Sequence, residues 1–220
     1  MADVLAGKRI AVLLPNLRPG GAEKLHVHLA REWRRRGIEV EFILRRAQGE
    51  LLDALPEGVS VVDLGARRVR NLFRPLARYL RRVQPDVLLA AMWPTTTLVP
   101  YAAQLAGFRG RLVISEHSPL SLAYAERGWL HRCFLRTSQR LGYPRANARI
   151  AVSGGVADDL SSLSGLPRGE FTILHNPAAL GVDAVTSAEP TALVGLVRPI
   201  ILTVGTLKPV KRQDLLIKAF

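Results

Sequence analysis

The sequence predicts an α/β fold: a doubly wound parallel sheet of Rossmann-like type, followed by the opening of a second, truncated domain. Short apolar runs rich in β-branched residues alternate with segments of helical period, which is the pattern of strand–helix units in a parallel sheet. The runs are almost continuously apolar, as expected for strands covered by helices on both faces. A length of 220 residues fits one large domain or two small ones.

Seven strands and five helices are predicted in the first domain. The strands are expected at 9–14, 39–44, 59–64, 86–91, 111–115, 148–152 and 171–174. The helices are expected at 22–36, 72–83, 95–106, 129–141 and 156–162. Gly37 and the pair Gln84 and Pro85 follow the first two helices and are typical helix stops.

The spacing of apolar residues predicts which helix faces are buried. The core face of the first helix is expected to consist of Ala22, Leu25, Leu29 and Trp33. The core face of helix 129–141 is expected to consist of Leu130, Phe134, Thr137 and Leu141.

The composition of the chain changes near Asn176. Residues 1–177 are expected to form the Rossmann-like domain, and the Ala-, Pro-, Gly-, Ser- and Thr-rich stretch 178–199 is expected to be a linker. A strand at 200–205 and a helix at 212–220 then open a second domain. Because a lone βα unit cannot form its own core, we expect this second domain to be truncated.

The charge of the chain is concentrated in its first two-thirds. Lys and Arg number 31 against 18 Asp and Glu, which gives a net charge of +13. Residues 1–150 hold 25 of the bases and 12 of the acids, whereas 151–220 hold six of each. Such a basic surface attracts nucleic acid, anionic lipid or phosphorylated ligands, unless the arginines merely cover solvated faces.

Arginines recur at helical spacing on two predicted helices and could contact anionic lipid headgroups. This candidate anionic-surface set is Arg74, Arg78, Arg132, Arg136 and Arg140. Solvated outer faces of core-packed helices explain the same pattern. Nucleic acid is disfavoured as a partner, because no aromatic residues are interleaved with the bases and no recognition module is present.

The sequence predicts a cytoplasmic protein. A peripheral position at the inner face of the membrane is compatible with this prediction. The single Cys133 excludes an internal disulfide framework. The stretch 87–108 carries no charge, but Pro94 and Pro100 interrupt it. A buried strand, a turn and a helix explain this stretch better than a membrane span.

Ligands of open α/β sheets bind beyond the carboxyl ends of the strands. The first such segment contains Gly20 and Gly21 immediately before a helix, where backbone N–H groups suit a phosphate. An ordinary turn explains the two glycines equally well. The surrounding sequence is neither G-x-G-x-x-G nor a P-loop, which argues against a nicotinamide dehydrogenase and an ordinary NTPase.

His117 also follows a predicted strand and has Glu116 beside it. A histidine in this position can donate to a sugar hydroxyl or transfer a proton, although a structural histidine explains it too. His26 and His28 are expected to be structural or exposed. The spacing of the histidines indicates no metal site.

Several short motifs, taken in order, resemble family 4 glycosyltransferases. They are Gly20-Gly21-Ala22-Glu23, Glu116-His117, Val152-Ser153, His175-Asn176-Pro177 and the segment from Val204 to Lys211. The resemblance implies the two-domain GT-B architecture and retaining transfer of a sugar from a UDP- or GDP-sugar, without a metal or other cofactor. It also implies that the first domain holds the acceptor, a glycan or lipid-linked molecule of cell-envelope or polysaccharide synthesis.

The resemblance also assigns roles to individual residues. It places Gly20 and Gly21 against the donor diphosphate or the acceptor, His117 as the candidate catalytic residue against the transferring sugar, and Glu116 in donor or acceptor binding. Lys211 would neutralise the diphosphate leaving group, and Lys208 would replace an arginine that the family has where this chain has Thr206.

The paired-glutamate motif of the family lies past residue 220, so we expect the isolated chain to be at most feebly active. The main alternative function is a non-catalytic module that binds an acceptor, a lipid or a partner. A nucleotide-sugar epimerase is less favoured, because the Gly-Gly-Ala-Glu and His-Asn-Pro motifs fit the transferases better.

Overall fold

A computed structural model describes residues 7–177, 195, 200–203, 205, 207 and 211–220. The chain divides into two compact units, Met1–Ala178 and Ala179–Phe220, which are described separately.

The first unit contains a seven-stranded sheet in which every neighbouring pair is parallel. The strands are β1 (Arg9–Leu14), β2 (Glu39–Leu44), β3 (Ser60–Asp63), β4 (Val87–Ala91), β5 (Arg111–Glu116), β6 (Ala148–Ala151) and β7 (Thr172–Ile173). Their order in the sheet is β3-β2-β1-β4-β5-β6-β7. The winding therefore reverses between β1 and β4, which confirms the predicted doubly wound fold.

Six α-helices accompany these strands in the described part of the first unit. They are α1 (Gly21–Arg35), α2 (Phe73–Val83), α3 (Thr95–Ala106), α4 (Leu120–Ala123), α5 (Trp129–Gly142) and α6 (Gly154–Ser164). The sequence did not predict α4, because four residues are too few to show a helical period. The predicted helix 72–83 is confirmed from Phe73 onward, and its first residue, Leu72, ends a 3₁₀ segment, Val69–Leu72, that leads into α2.

The core lies on both faces of the sheet, because successive side chains of a strand point to opposite sides. On one face, Ala11 and Leu13 of β1 pack with residues of α2, α3, α5 and α6. On the other, Ile10 and Val12 pack with Val27 and other residues of α1 and β2. None of the described helices is long and apolar enough to cross a bilayer.

The buried face of α1 differs from the prediction. Its buried residues are Ala22, His26, Val27 and Ala30, while Leu25 and Leu29 are only partly buried. The sequence-based assignment passed over His26 because it is polar. The ring of His26 is accommodated in the interior because its Nδ1 atom is 2.7 Å from the carbonyl oxygen of Ala22.

The buried face of α5 was predicted wrongly. Leu130, Phe134 and Leu141 are exposed by 68%, 58% and 51%, and the buried residues are Leu135, Gln139 and Gly142. A Cβ atom on Gly142 would lie 2.9 Å from the carbonyl oxygen of Thr97. The missing side chain therefore lets α5 approach α3 closely on this side, and the apolar stripe faces outward.

In the second unit, the described residues contain one helix, α7 (Gln213–Ala219), close to the predicted 212–220. The strand predicted at 200–205 is wrong for residues 200–203 and 205, which lie outside any strand. A strand needs a neighbour with which to pair, and this unit has none among its described residues. Val204, Thr206, Lys208 and, apart from Gly195, the predicted linker lie outside the described residues.

Candidate active site

The winding of the sheet reverses between β1 and β4. In sheets of this kind, ligands bind at the carboxyl ends of the strands near such a switch point. The loops that follow β1, β4 and β5 all lie at this edge, and those after β1 and β5 contain the candidate site residues Gly20, Gly21 and His117.

The loop after β1 is held by the loop after β2. The N–H of Leu17 donates to the carbonyl of Gln48 at 2.9 Å, and the N–H of Leu51 donates to the carbonyl of Leu17 at 3.0 Å. Between these bonds lies Gly49, whose φ is +122°. A Cβ atom on Gly49 would collide with the backbone of Leu17, so only glycine permits this close approach.

Gly20 and Gly21 lie at the start of α1, as predicted from the sequence. Gly20 is the N-cap residue in extended conformation, and the helix begins at Gly21. A Cβ atom on Gly20 would meet the carboxylate of Glu23, whereas one on Gly21 would meet nothing within 4 Å. The carboxylate of Glu23 therefore lies at the positive N-terminal end of α1. A phosphate bound there would compete with this carboxylate for the same helix end.

Glu116 lies in the interior, although the sequence suggested that it binds donor or acceptor. Its side chain is 2% exposed. The hydroxyls of Thr96 and Tyr143 donate to its Oε1 atom at 2.6 and 2.7 Å, and the N–H of Trp93 donates to Oε2 at 3.1 Å. Burial raises the pKa of this carboxyl to about 7, although the three hydrogen bonds oppose the shift. Glu116 therefore positions the loop after β4 and does not reach the site surface.

The loop after β4 presents Trp93 to an aromatic cluster. The ring of Trp93 makes edge contacts with Tyr124, His131 and Phe134 at centroid distances of 4.9, 5.4 and 6.0 Å. Its indole N–H also donates to the hydroxyl of Ser138 at 3.1 Å. These contacts join the loop after β4 to α5 and to Tyr124.

His117 follows β5 and lines a cavity at this edge. Its Nε2 atom is 3.2 Å from the hydroxyl oxygen of Ser115, and its Nδ1 atom is buried without a hydrogen-bond partner in the described structure. The pKa of His117 is lowered to about 4, mainly by burial and to a smaller extent by the neighbouring His26. At neutral pH the ring is therefore uncharged, and it can hydrogen-bond a hydroxyl but carries no spare proton.

The cavity has a volume of about 530 Å³ and lies between the loop after β5, α4 and the first turn of α6. Its lining residues are His117, Pro119, Ser121, Leu122, Val152, Ser153, Gly155, Val156 and Asp159. The carboxylate of Asp159 accepts the N–H groups of Leu120 and Ser121 at 2.6 and 3.2 Å, and thereby fixes α4 as one wall. The lining combines an apolar wall with hydroxyl, imidazole and carboxylate groups, which suits a glycan or another amphipathic molecule.

The structure brings together only part of the predicted site. His117 and the segment 153–155 share the cavity, whereas Glu116 faces the interior. Lys211 belongs to the second unit, and Lys208 lies outside the described residues. Leu122 and Asp159 were missed, because α4 gives no periodic signal and nothing local in the sequence links Asp159 to residues 120 and 121.

No three His, Cys, Asp or Glu side chains of the described residues are grouped so that they could hold a metal ion. The expectation of metal-free transfer stays a prediction.

Solved structures with the same fold include several transferases. The chain is 21% identical to HepE of Anabaena in complex with UDP and glucose, with a TM-score of 0.59, over 77% of this chain and 44% of HepE. It is 14% identical to the lipopolysaccharide outer core galactosyltransferase WaaB (TM-score 0.52, 78% and 46% covered). It is 12% identical to MurG of Acinetobacter baumannii (TM-score 0.53, 80% and 47%). The chain thus spans less than half the length of each of these proteins.

A comparison with curated proteins gave no match. The family model described as Glycosyltransferase Family 4, however, matches residues 19–181, which is most of the first unit and well over half of the chain. This match includes the turn at Gly20 and Gly21, His117 and all residues that line the cavity. With the doubly wound sheet, it establishes that the chain belongs to glycosyltransferase family 4.

Proposed function

We propose that this chain forms the acceptor side of a retaining, metal-independent glycosyltransferase. The enzyme would transfer a sugar from a UDP- or GDP-sugar to a glycan or lipid-linked acceptor in cell-envelope or polysaccharide synthesis. The observation that carries the proposal is the cavity of about 530 Å³ that His117 lines at the carboxyl edge of the sheet. The ligands of HepE and the lipopolysaccharide substrate named for WaaB support the choice of donor and acceptor.

In this proposal, His117 binds the sugar as an uncharged imidazole. Its lowered pKa keeps it neutral at pH 7, so it orients a hydroxyl by hydrogen bonding and does not act as a general acid. The polar groups of Ser153 and Asp159 face the same cavity and bind further acceptor hydroxyls. Lys208 and Lys211 are assigned to the donor diphosphate on the family resemblance alone, because positive charge stabilises the leaving group as negative charge develops on it.

Replacement of His117 by alanine is expected to lower kcat/KM for sugar transfer by roughly 100-fold, because a positioned hydrogen-bonding group at a reacting sugar has an effect of this order. Transfer from radiolabelled UDP- and GDP-sugars to glycan and polyprenyl-phosphate acceptors is measured with this chain and with the full reading frame that carries it. His28→Ala is the matched control, because it removes another histidine that does not line the cavity.

Transfer at the wild-type rate by His117→Ala would contradict the assigned role. Acceptor binding without transfer by the full reading frame would instead favour the non-catalytic binding module.

We also propose that α5 contacts an anionic membrane surface, which would place the protein at the cytoplasmic face of the inner membrane. The exposed surface of this helix carries two stripes, and we name them together the α5 surface. They consist of the apolar residues Trp129, Leu130, Phe134 and Leu141 and the basic residues Arg132, Arg136 and Arg140. A helix with exposed aromatic and aliphatic residues beside arginines is suited to the interface of an anionic bilayer.

The arginines of α2 are not accompanied by a stripe of exposed apolar residues. Arg74 and Arg78 are exposed, but the apolar residues of α2, such as Leu76 and Leu80, are fully buried. Of the two arginine sets predicted from the sequence, the α5 set is therefore the one that we assign to the membrane.

The triple variant Arg132→Gln, Arg136→Gln and Arg140→Gln is expected to weaken binding to anionic vesicles by roughly 100-fold. Each basic residue near such a surface contributes about 1 kcal/mol. Co-sedimentation with phosphatidylglycerol vesicles at low salt measures this binding. The double variant Leu130→Ser and Phe134→Ser tests the apolar stripe in the same way.

The double variant Arg74→Gln and Arg78→Gln is the matched control and should bind as wild type does. The assignment fails if wild-type protein ignores these vesicles or if the α2 control loses as much binding.

A further inference from the structure

We propose that His26 is a positioning residue for His117: it holds the ring of His117 in one orientation and in its neutral form. Where this concerns sugar binding it rests on the proposed function, but the contact between the two histidines does not. The two residues could not be connected from the sequence, because 91 positions separate His26 in α1 from His117 after β5.

The protonation pattern of His26 follows from its surroundings. The side chain is 1% exposed, and its Nδ1 atom is 2.7 Å from the carbonyl oxygen of Ala22. A carbonyl oxygen only accepts hydrogen bonds, so Nδ1 of His26 carries the proton. Nε2 is then an unprotonated acceptor, and burial lowers the pKa of the ring. His26 is therefore a neutral imidazole of defined tautomer.

The ring of His26 lies directly against the ring of His117. The two centroids are 5.4 Å apart and the ring planes meet at 68°, which is an edge-to-face contact. The hydroxyl of Ser115 fixes a second point of His117 at Nε2, 3.2 Å away. Two contacts from different directions define the orientation of a planar ring, and Nδ1 is left as the polar atom without a partner.

The surrounding charges do not favour a protonated His117. From α1 the neighbour is the neutral His26. Glu116 adjoins His117 in the chain, but its carboxyl group is turned toward Trp93, Thr96 and Tyr143. From α6, Asp159 lines the same cavity, but its carboxylate is bonded to two backbone N–H groups of α4. These acids therefore do not offset the burial of His117, and the pKa of His117 falls to about 4.

The contact also crosses the switch point of the sheet. α1 follows β1, His117 follows β5, and β4 lies between these strands. The contact between the rings therefore joins elements that follow two strands separated by β4 in the sheet. His26 thus connects the helix that begins at Gly21 with the histidine of the cavity.

Nuclear magnetic resonance of histidine rings tests the proposal without a transfer assay. Nitrogen shifts of the wild-type chain should show His26 protonated at Nδ1 and His117 in one dominant tautomer. His26→Asn keeps a donor for the Ala22 carbonyl but removes the ring, so water reaches His117. We expect the titration midpoint of His117 to rise by about one pH unit, a tenfold change in its protonation equilibrium.

His26→Phe keeps the ring contact and removes both nitrogens, so it should raise the midpoint less than His26→Asn. His28→Ala, on the same helix, is the control and should leave it unchanged. If His117 of the wild-type chain averages between its two tautomers, the proposal is overturned. This measurement needs no variant, so it decides the question even if a variant fails to fold. Unchanged His117 midpoints in folded His26→Phe and His26→Asn would overturn the proposal as well. Failure of sugar transfer leaves these measurements untouched, so the proposed function is tested separately.

Discussion

Replacement of Glu116 by alanine is expected to lower the free energy of unfolding by about 3 kcal/mol or more at pH 5. The change leaves the hydroxyls of Thr96 and Tyr143 and the N–H of Trp93 as buried donors without an acceptor, each at a cost of about 1 kcal/mol or more. The cavity left by the side chain adds to this loss. Urea denaturation followed by circular dichroism measures the effect, and a loss below about 1 kcal/mol would contradict it.

The same carboxyl makes a pH-dependent contribution to stability. Its pKa is about 7 in the folded chain and about 4.5 when unfolded, so the folded state binds more protons between these values. This contribution is complete below pH 4.5 and is lost as the pH rises to 7, a change of about 3 kcal/mol. His117 acts in the opposite sense, because its lowered pKa makes stability fall as the pH drops from about 6.5 to 4.

Glu116→Gln separates the two contributions. Glutamine keeps an oxygen for Thr96 and Tyr143 but does not ionise, so the variant loses the slope that Glu116 causes and retains the slopes of the other titrating groups, such as His117 and His26. The stability difference between wild type and Glu116→Gln should therefore shift in favour of the variant as the pH rises from 4.5 to 7. Parallel urea curves for both proteins at half-unit steps measure this difference. A constant difference would show that Glu116 does not titrate in this range.

Replacement of Gly49 by alanine is expected to cost about 3 kcal/mol or more of unfolding free energy. The added Cβ atom would collide with the backbone of Leu17 and with the N atom of Arg18, and backbone atoms cannot move aside as a side chain can. The φ of +122° adds strain of its own for an L residue. The same collision displaces the loop after β1, so the start of α1 at Gly20 should move as well.

Gly37→Ala is the matched control for this prediction. Gly37 also has a positive φ, +74°, but a Cβ atom there meets nothing within 4 Å. Gly37→Ala should lower the free energy of unfolding only by what the left-handed conformation costs an alanine, about 1–2 kcal/mol. Thermal or urea unfolding of both variants gives the comparison. Equal losses would mean that the contact between Gly49 and Leu17 has no effect beyond the backbone conformation.

The sheet could be predicted from the sequence because its signals are local. The run from Ile10 to Leu14 is apolar throughout and makes up all of β1 except its first residue, Arg9. The helix faces were harder, because a side chain is buried by the element that packs on it and not by its own polarity. His26 is buried since Ala22 supplies an acceptor, and Phe134 is exposed since α5 packs through Gly142.

The candidate site could be predicted only at the points where strands end. His117 was found because a histidine at the carboxyl end of a strand is a recognisable pattern. The direction of the Glu116 side chain, one position earlier, could not be predicted, because it depends on Tyr143 and Thr96 in other elements. The wall formed by α4 and Asp159 depends likewise on residues 39 positions apart in the chain.

The three bonds of Glu116 have a consequence for the order of folding. They span 20, 23 and 27 residues, so none forms within a single helix or turn. The loop after β4 obtains its hydrogen-bond acceptor only when β5 is in place beside β4 and Tyr143 has reached the interior. Closing such long loops costs conformational entropy before the contacts form. We therefore expect these loops to close after the local helices have formed. The loop after β4 is thus expected to be fixed late in folding, when its donors reach the buried carboxyl group of Glu116.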